Sequence, residues 1–157
     1  MAIEFNESAK KELEKIMGRY PSRQAALLPA LYLAQREFGY VSEEVIAYLS
    51  RLMELPKSRI FGVASFYTMF NKKPVGKYFI QVCANISCAM MGADSLFEYL
   101  SQKLGIKEGE TTKDGKFTLV KVECLGACGE APTMQVNDRY YGNLTKARVD
   151  QILAELK

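Results

Sequence analysis

Four cysteines constrain this chain more than any other feature of its sequence. They stand in two close pairs, Cys83-Ala84-Asn85-Ile86-Ser87-Cys88 and Cys124-Leu125-Gly126-Ala127-Cys128, with 35 residues between the pairs. Each pair follows a β-rich run, Lys77–Cys83 and Phe117–Cys124. Between them, Ser95–Leu104 carries Leu96, Phe97, Leu100 and Leu104 at helical spacing. Strand, helix and strand form a βαβ unit, so the two strands are parallel and finish at the same end of the sheet. The loops that follow them are neighbours there. Residues distant in sequence then meet, and four thiols converge on one site.

Four soft, anionic sulfurs suit either Zn²⁺ or an iron–sulfur cluster. Structural zinc favours tight knuckles, often two residues between cysteines; here the gaps are four and three. Two looser pairs fit two iron atoms, Cys83 with Cys88 on one and Cys124 with Cys128 on the other. Spacing alone leaves zinc and iron–sulfur open, and ligand count does not separate [2Fe–2S] from [4Fe–4S]. A thiol–disulfide enzyme is disfavoured because neither pair has its Cys-x-x-Cys spacing. Gly126 and Gly129 suit positive φ and a close backbone approach. Backbone N–H groups, the Ser87 hydroxyl and the Asn85 amide are candidate donors to sulfur. Glu123 and Glu130 flank the second pair and, if ionised and close, would lower a cluster's potential.

The first 70 residues read as successive helices. Phe5, Ala9, Leu13, Ile16 and Met17 share one face, with Asn6 or Ser8 as the cap and Gly18 and Pro21 at the end. A second helix runs from Ser22 to Gly39, with Pro29 kinking it or shifting its start. Ser42 caps a third, which turns Val45, Ile46, Leu49, Leu52 and Met53 inward. Lys57–Phe70 reads as a fourth, mostly buried helix, and its stretch Gly62–Phe70 as core with one edge open to a partner. Asn71–Gly76 is a linker. After it come the βαβ unit, a hairpin of Pro132–Val136 and Arg139–Tyr141 about Asn137-Asp138, and a last helix opened by Leu144-Thr145. The expected fold class is α/β: a helical-bundle region over 1–72, then a small thioredoxin-like domain over 73–157.

Charge narrows the function. The net charge is +3. Residues 1–72 hold ten Lys/Arg against eight acids, and residues 73–157 eleven against ten. No basic stripe marks a nucleic-acid surface. No apolar run reaches the roughly 18 residues of a membrane span. The start, Met-Ala-Ile-Glu-Phe-Asn-Glu, lacks the apolar core of a secretory leader, which points to the cytosol, where structural disulfides are rare. There is no histidine, hence no imidazole base or ligand. No glycine-rich dinucleotide or phosphate loop is present either.

These residues together resemble a known family, the thioredoxin-like [2Fe–2S] subunits (E-type) of NADH:quinone oxidoreductase, respiratory complex I. The likeness is carried by Gly62–Phe70 with Pro74-x-Gly76, by the Cys-x₄-Cys pair followed by Gly92, and by Glu123–Cys128 running on to Ala131-Pro132. Tyr140–Thr145 and, upstream, Leu27–Gly39 also fit. It extends from about Leu13 to Leu153. Gly142 departs from the pattern, standing where the family carries an acidic residue. The resemblance implies one [2Fe–2S] cluster held by Cys83, Cys88, Cys124 and Cys128. It implies single-electron transfer beside the flavin- and NADH-binding F subunit, with FMN and NADH only in that partner. The chain alone then has no catalytic residue and no small-molecule substrate. It would lie in the cytoplasm, peripheral to the inner membrane through its complex. Related subunits serve NAD-linked hydrogenases and formate dehydrogenases, and a Cys₄ zinc-stabilised interaction module is the rival of another class.

Overall fold

The computed structural model describes residues 3–156; the outermost positions of the segments 1–72 and 73–157, and the first two residues of the N-terminal stretch, lie outside the described residues. The chain divides into two compact units, one up to Pro74 and the other from Val75 onward.

The first unit is helical: α1 (Glu7–Arg19), α2 (Leu27–Phe38), α3 (Glu43–Met53) and α4 (Lys57–Phe66). Its helix starts follow side-chain capping. Asn6 accepts the Ala9 N–H at 2.8 Å and Ser42 accepts the Val45 N–H at 3.2 Å, which satisfies donors a first turn leaves unpaired. Pro29 shifts the start of α2 rather than kinking it. Residues 23–26 form turns, the helix begins at Leu27, and proline becomes its third residue, where no intrahelical N–H bond is missed. Leu13, Leu27, Leu31, Leu49, Ile60 and Phe70 are all buried in one core. Phe5 stacks on Phe38 at 5.2 Å and donates its N–H to the Tyr48 hydroxyl at 2.9 Å.

The fourth helix corrects an expectation. It stops at Phe66, and much of it is open: Ile60 and Ala64 are buried, whereas Phe61 and Phe66 are 53% and 78% exposed. Apolar residues at 60, 61, 63, 64 and 66 surround the helix, and only one side can face α2 and α3. Phe70 returns to the core beyond the helix end.

The second unit is α/β. It contains β1 (Tyr78–Cys83), α5 (Ile86–Met90), α6 (Ala93–Leu104), β2 (Phe117–Val122), β3 (Met134–Val136), β4 (Arg139–Tyr141) and α7 (Lys146–Glu155), with a 3₁₀ turn at Cys128–Glu130. The sheet order is β2-β1-β3-β4. β1 and β2 are parallel from Tyr78↔Phe117 to Cys83↔Val122, as a βαβ unit requires, while β3 is antiparallel to β1 and β4 to β3. The composition of β1 predicts burial on both faces. Only Ile80, Val82 and Cys83 are buried, and Tyr78, Phe79 and Gln81 are half-buried. α6 packs on β1, β2 and α7, with Leu96, Phe97 and Leu100 joining Ile80, Leu119, Met134, Val149 and Ile152 in a second core. Thr145 caps α7 by accepting the Arg148 N–H at 3.2 Å.

Gly76 sets the base of this unit. A Cβ there would lie 2.9 Å from Lys116 C, Lys116 O and Phe117 N, all main-chain atoms. Its N–H donates to the Thr118 hydroxyl at 2.6 Å. Among the described residues no helix is long and apolar enough to cross a membrane.

Candidate metal centre

The two parallel strands end beside the segments that carry the cysteines. Cys83 is the last residue of β1 and lies opposite Val122, the last residue of β2. β2 ends two residues before Cys124, so Cys124 sits in the loop, not on the strand. Cys88 is carried by α5, a five-residue helix where the spacing predicts only a loop. The Asn85 side chain caps α5 by accepting the Ile86 N–H at 2.9 Å, so its carbonyl oxygen is engaged with the helix start. Cys128 begins the 3₁₀ turn.

Cys83 and Cys88 are buried, whereas Cys124 and Cys128 are exposed. The Cys83 thiol is within hydrogen-bonding reach of both Cys88 and Cys124, and so joins the first pair to the second. Burial pushes this thiol up, but the N–H groups of Asn85 and Leu125 and the two neighbouring thiols outweigh burial and hold it below the ordinary thiol value. Cys88 goes the other way. Burial and the adjacent Cys83 raise it, against the N–H and hydroxyl of Thr133. The Gly126 N–H donates to Cys124 Sγ at 3.3 Å. Gly126 has φ +70, so glycine is required where the loop turns this N–H onto the sulfur. Gly129 lies in the 3₁₀ turn without positive φ and with open space about it, so the expected need for glycine applies to Gly126 alone.

Thr133 is a member of the site that the sequence does not announce. It is 1% exposed, at the entry to β3. Its carbonyl accepts the Cys83 N–H at 3.1 Å, and its hydroxyl lies 3.9 Å from Cys88 Sγ. The same hydroxyl lies 3.3 Å from the carbonyl oxygens of Ala127 and Glu130, either side of Cys128. Nothing in residue type or spacing marks it. Its position depends on β3 pairing with β1. Close by, the Asn143 N–H donates to the Glu130 carbonyl at 2.6 Å. A Cβ at Gly142 would collide with the Glu130 side chain, so Glu130 fills the room that a larger residue at 142 would need.

The donor set fits an anionic iron–sulfur group. Cys83 has Cys88 on one side and Cys124 on the other, Cys128 begins the 3₁₀ turn, and N–H groups point at Cys83 and Cys124. Among the described residues no three His, Cys, Asp or Glu side chains are gathered to hold a single metal ion.

The family model for the thioredoxin-like [2Fe–2S] ferredoxin matches residues 13–157. The chain is 43% identical over 148 residues to the NADH-quinone oxidoreductase E subunit numbered 2 of Rhizobium meliloti (strain 1021), covering 94% of this chain and 88% of that protein. It is 46% identical over 147 residues to the NADH-quinone oxidoreductase E subunit of Rickettsia bellii (strain RML369-C), covering 92% and 88%. Among solved structures it resembles a chain of an NAD⁺-reducing [NiFe]-hydrogenase in the H₂-reduced state, with TM-score 0.72, 28% identity and 83% of this chain covered. The chain spans about a fifth, 22%, of that hydrogenase chain.

Proposed function

We propose that this chain, which belongs to the thioredoxin-like [2Fe–2S] ferredoxin family, carries single electrons for an NADH-oxidising complex, and that Cys83, Cys88, Cys124 and Cys128 hold its cluster, one pair to each iron. The observation that carries the reading is the Cys83 thiol within reach of both Cys88 and Cys124, at the shared end of two parallel strands. A [2Fe–2S] cluster held there supplies a one-electron redox couple.

The chain's own residues have three tasks. Four thiolates ligate. The N–H groups of Asn85, Leu125 and Gly126 face sulfur and stabilise added negative charge. Buried Ile80, Val82 and Met134 exclude water from behind the buried pair. The proposed division places the cluster in 73–157 and leaves 1–72 as a helical region. The proposed partner is the flavin- and NADH-binding F subunit of NADH:quinone oxidoreductase, which keeps the chain in the cytoplasm at the face of the inner membrane. Identity of 43% and 46% to E-type subunits of that complex supports this host. The likeness to a hydrogenase chain supports a diaphorase module as the second host.

Purified chain should be brown, with two iron and two sulfide per molecule and a paramagnetic signal on reduction. Cys124→Ala should abolish or strongly alter that signal; an unchanged signal rejects the ligand assignment. One zinc and no iron would establish the zinc module instead. Co-purification with a flavoprotein from a native extract identifies the host, and the chain alone should not oxidise NADH.

A further inference from the structure

Two polar side chains are buried among the described residues, Thr118 and Thr133. Thr118 is accounted for by the fold, since its hydroxyl takes the Gly76 N–H and pairs with Thr111. Thr133 has no such duty. Every partner of its hydroxyl belongs to a cysteine loop: Cys88 Sγ, Ala127 O and Glu130 O. A core position at the entry to β3 would be filled equally well by valine, which has the same shape and no polar atom to satisfy.

We propose that Thr133 is a positioning residue of the metal centre: its hydroxyl ties the Cys128 turn to Cys88 and donates a hydrogen bond to Cys88 Sγ once that sulfur is ligated. This rests on the assignment of the four cysteines as ligands. The free Cys88 thiol has a proton to offer the hydroxyl oxygen. Ligation removes that proton, and a thiolate sulfur only accepts. Before ligation the hydroxyl donates to the Ala127 or Glu130 carbonyl at 3.3 Å, a long bond that it exchanges for one to the ligated sulfur. Neither carbonyl is left unpaired if the hydroxyl turns away. Ala127 O also accepts the Glu130 N–H at 3.0 Å, and Glu130 O accepts the Asn143 N–H at 2.6 Å. The sulfur gains a donor at no cost in unsatisfied groups. A hydrogen bond to a ligating sulfur stabilises the more negative, reduced state and so raises the potential.

The test uses the full chain with Thr133→Val and Thr133→Ser. Iron and sulfide content is measured first, then the midpoint potential, by redox titration followed by paramagnetic resonance. All three proteins should load two iron and two sulfide. Thr133→Val should have a lower potential than the native chain, by an amount equivalent to about tenfold in the reduction equilibrium, about 59 mV for a one-electron couple. Thr133→Ser should match the native chain. A native potential in Thr133→Val, or an equal shift in both variants, overturns the proposal. If Thr133→Val folds without loading, loading by Thr133→Ser sustains the tie and failure of both overturns it. Absence of iron from the native chain would instead reject the ligand assignment itself.

Discussion

Gly76→Ala should destabilise the α/β unit without touching a cysteine. The added methyl would stand 2.9 Å from three main-chain atoms of Lys116 and Phe117, at least half an ångström inside ordinary contact. Side chains can rotate away, but these atoms cannot. They belong to the start of β2, where Tyr78 N donates to Lys116 O at 2.8 Å and Lys77 N to Gly115 O at 3.1 Å. Either the two strands part at their base or Gly76 withdraws and gives up its bond to Thr118. Overpacking of a tight site costs about 1–3 kcal/mol, and a lost buried hydrogen bond about 1 kcal/mol. Together they predict a loss of roughly 2–4 kcal/mol, which for a unit of this size lowers the midpoint by roughly 10–30 °C. Thermal unfolding by circular dichroism measures the loss. Amide exchange at Ile80 and Leu119 assigns it to the second unit. A midpoint within about 2 °C of native, with protection at Ile80 and Leu119 unchanged, would refute the argument from close approach.

Gly62→Ala is the converse case. It is a helix-interior position with nothing within 4 Å of a new Cβ, so urea unfolding should show a gain of about 0.5–1 kcal/mol. Tyr48→Phe keeps the ring packing on Phe5 but leaves the Phe5 N–H unpaired, and the same assay should show a loss of about 1–3 kcal/mol. Asp150 responds to pH. Hydrogen bonds from Lys103, and then Tyr99, hold its carboxyl below the ordinary value. A carboxyl depressed in the folded state contributes stability above its unfolded pKa, and that contribution is lost as pH falls through the lower folded value. Acid titration of stability should therefore flatten in that acidic window for Asp150→Asn, with no change near neutrality.

How much of this is legible in the sequence depends on whether the signal is periodic or positional. The parallel pairing of β1 with β2 is readable because β-rich runs flank a helical repeat, and that pairing alone brings Cys83 near Cys124. Asn6, Ser42 and Thr145 cap where their residue types predict. Five-residue α5 is too short to show a period, so the helix under Cys88 leaves no trace in the pattern. In α4, apolar residues on every side hide which side faces out. Thr133 acts through neighbours 6 and 45 positions away, and no local pattern encodes such reach.

The crossover between β1 and β2 has a consequence for assembly. A zinc knuckle with adjacent ligands can capture its ion while most of the chain is still disordered. Here the loop that must close runs from Cys83 past α6 to Cys124, and its entropy is recovered only when the strands have paired. On the proposed ligand assignment, a nascent chain that has not yet reached Cys128 lacks the complete ligand set. Metal loading therefore reports on completed folding of the second unit, and its binding energy in turn makes that folding harder to reverse.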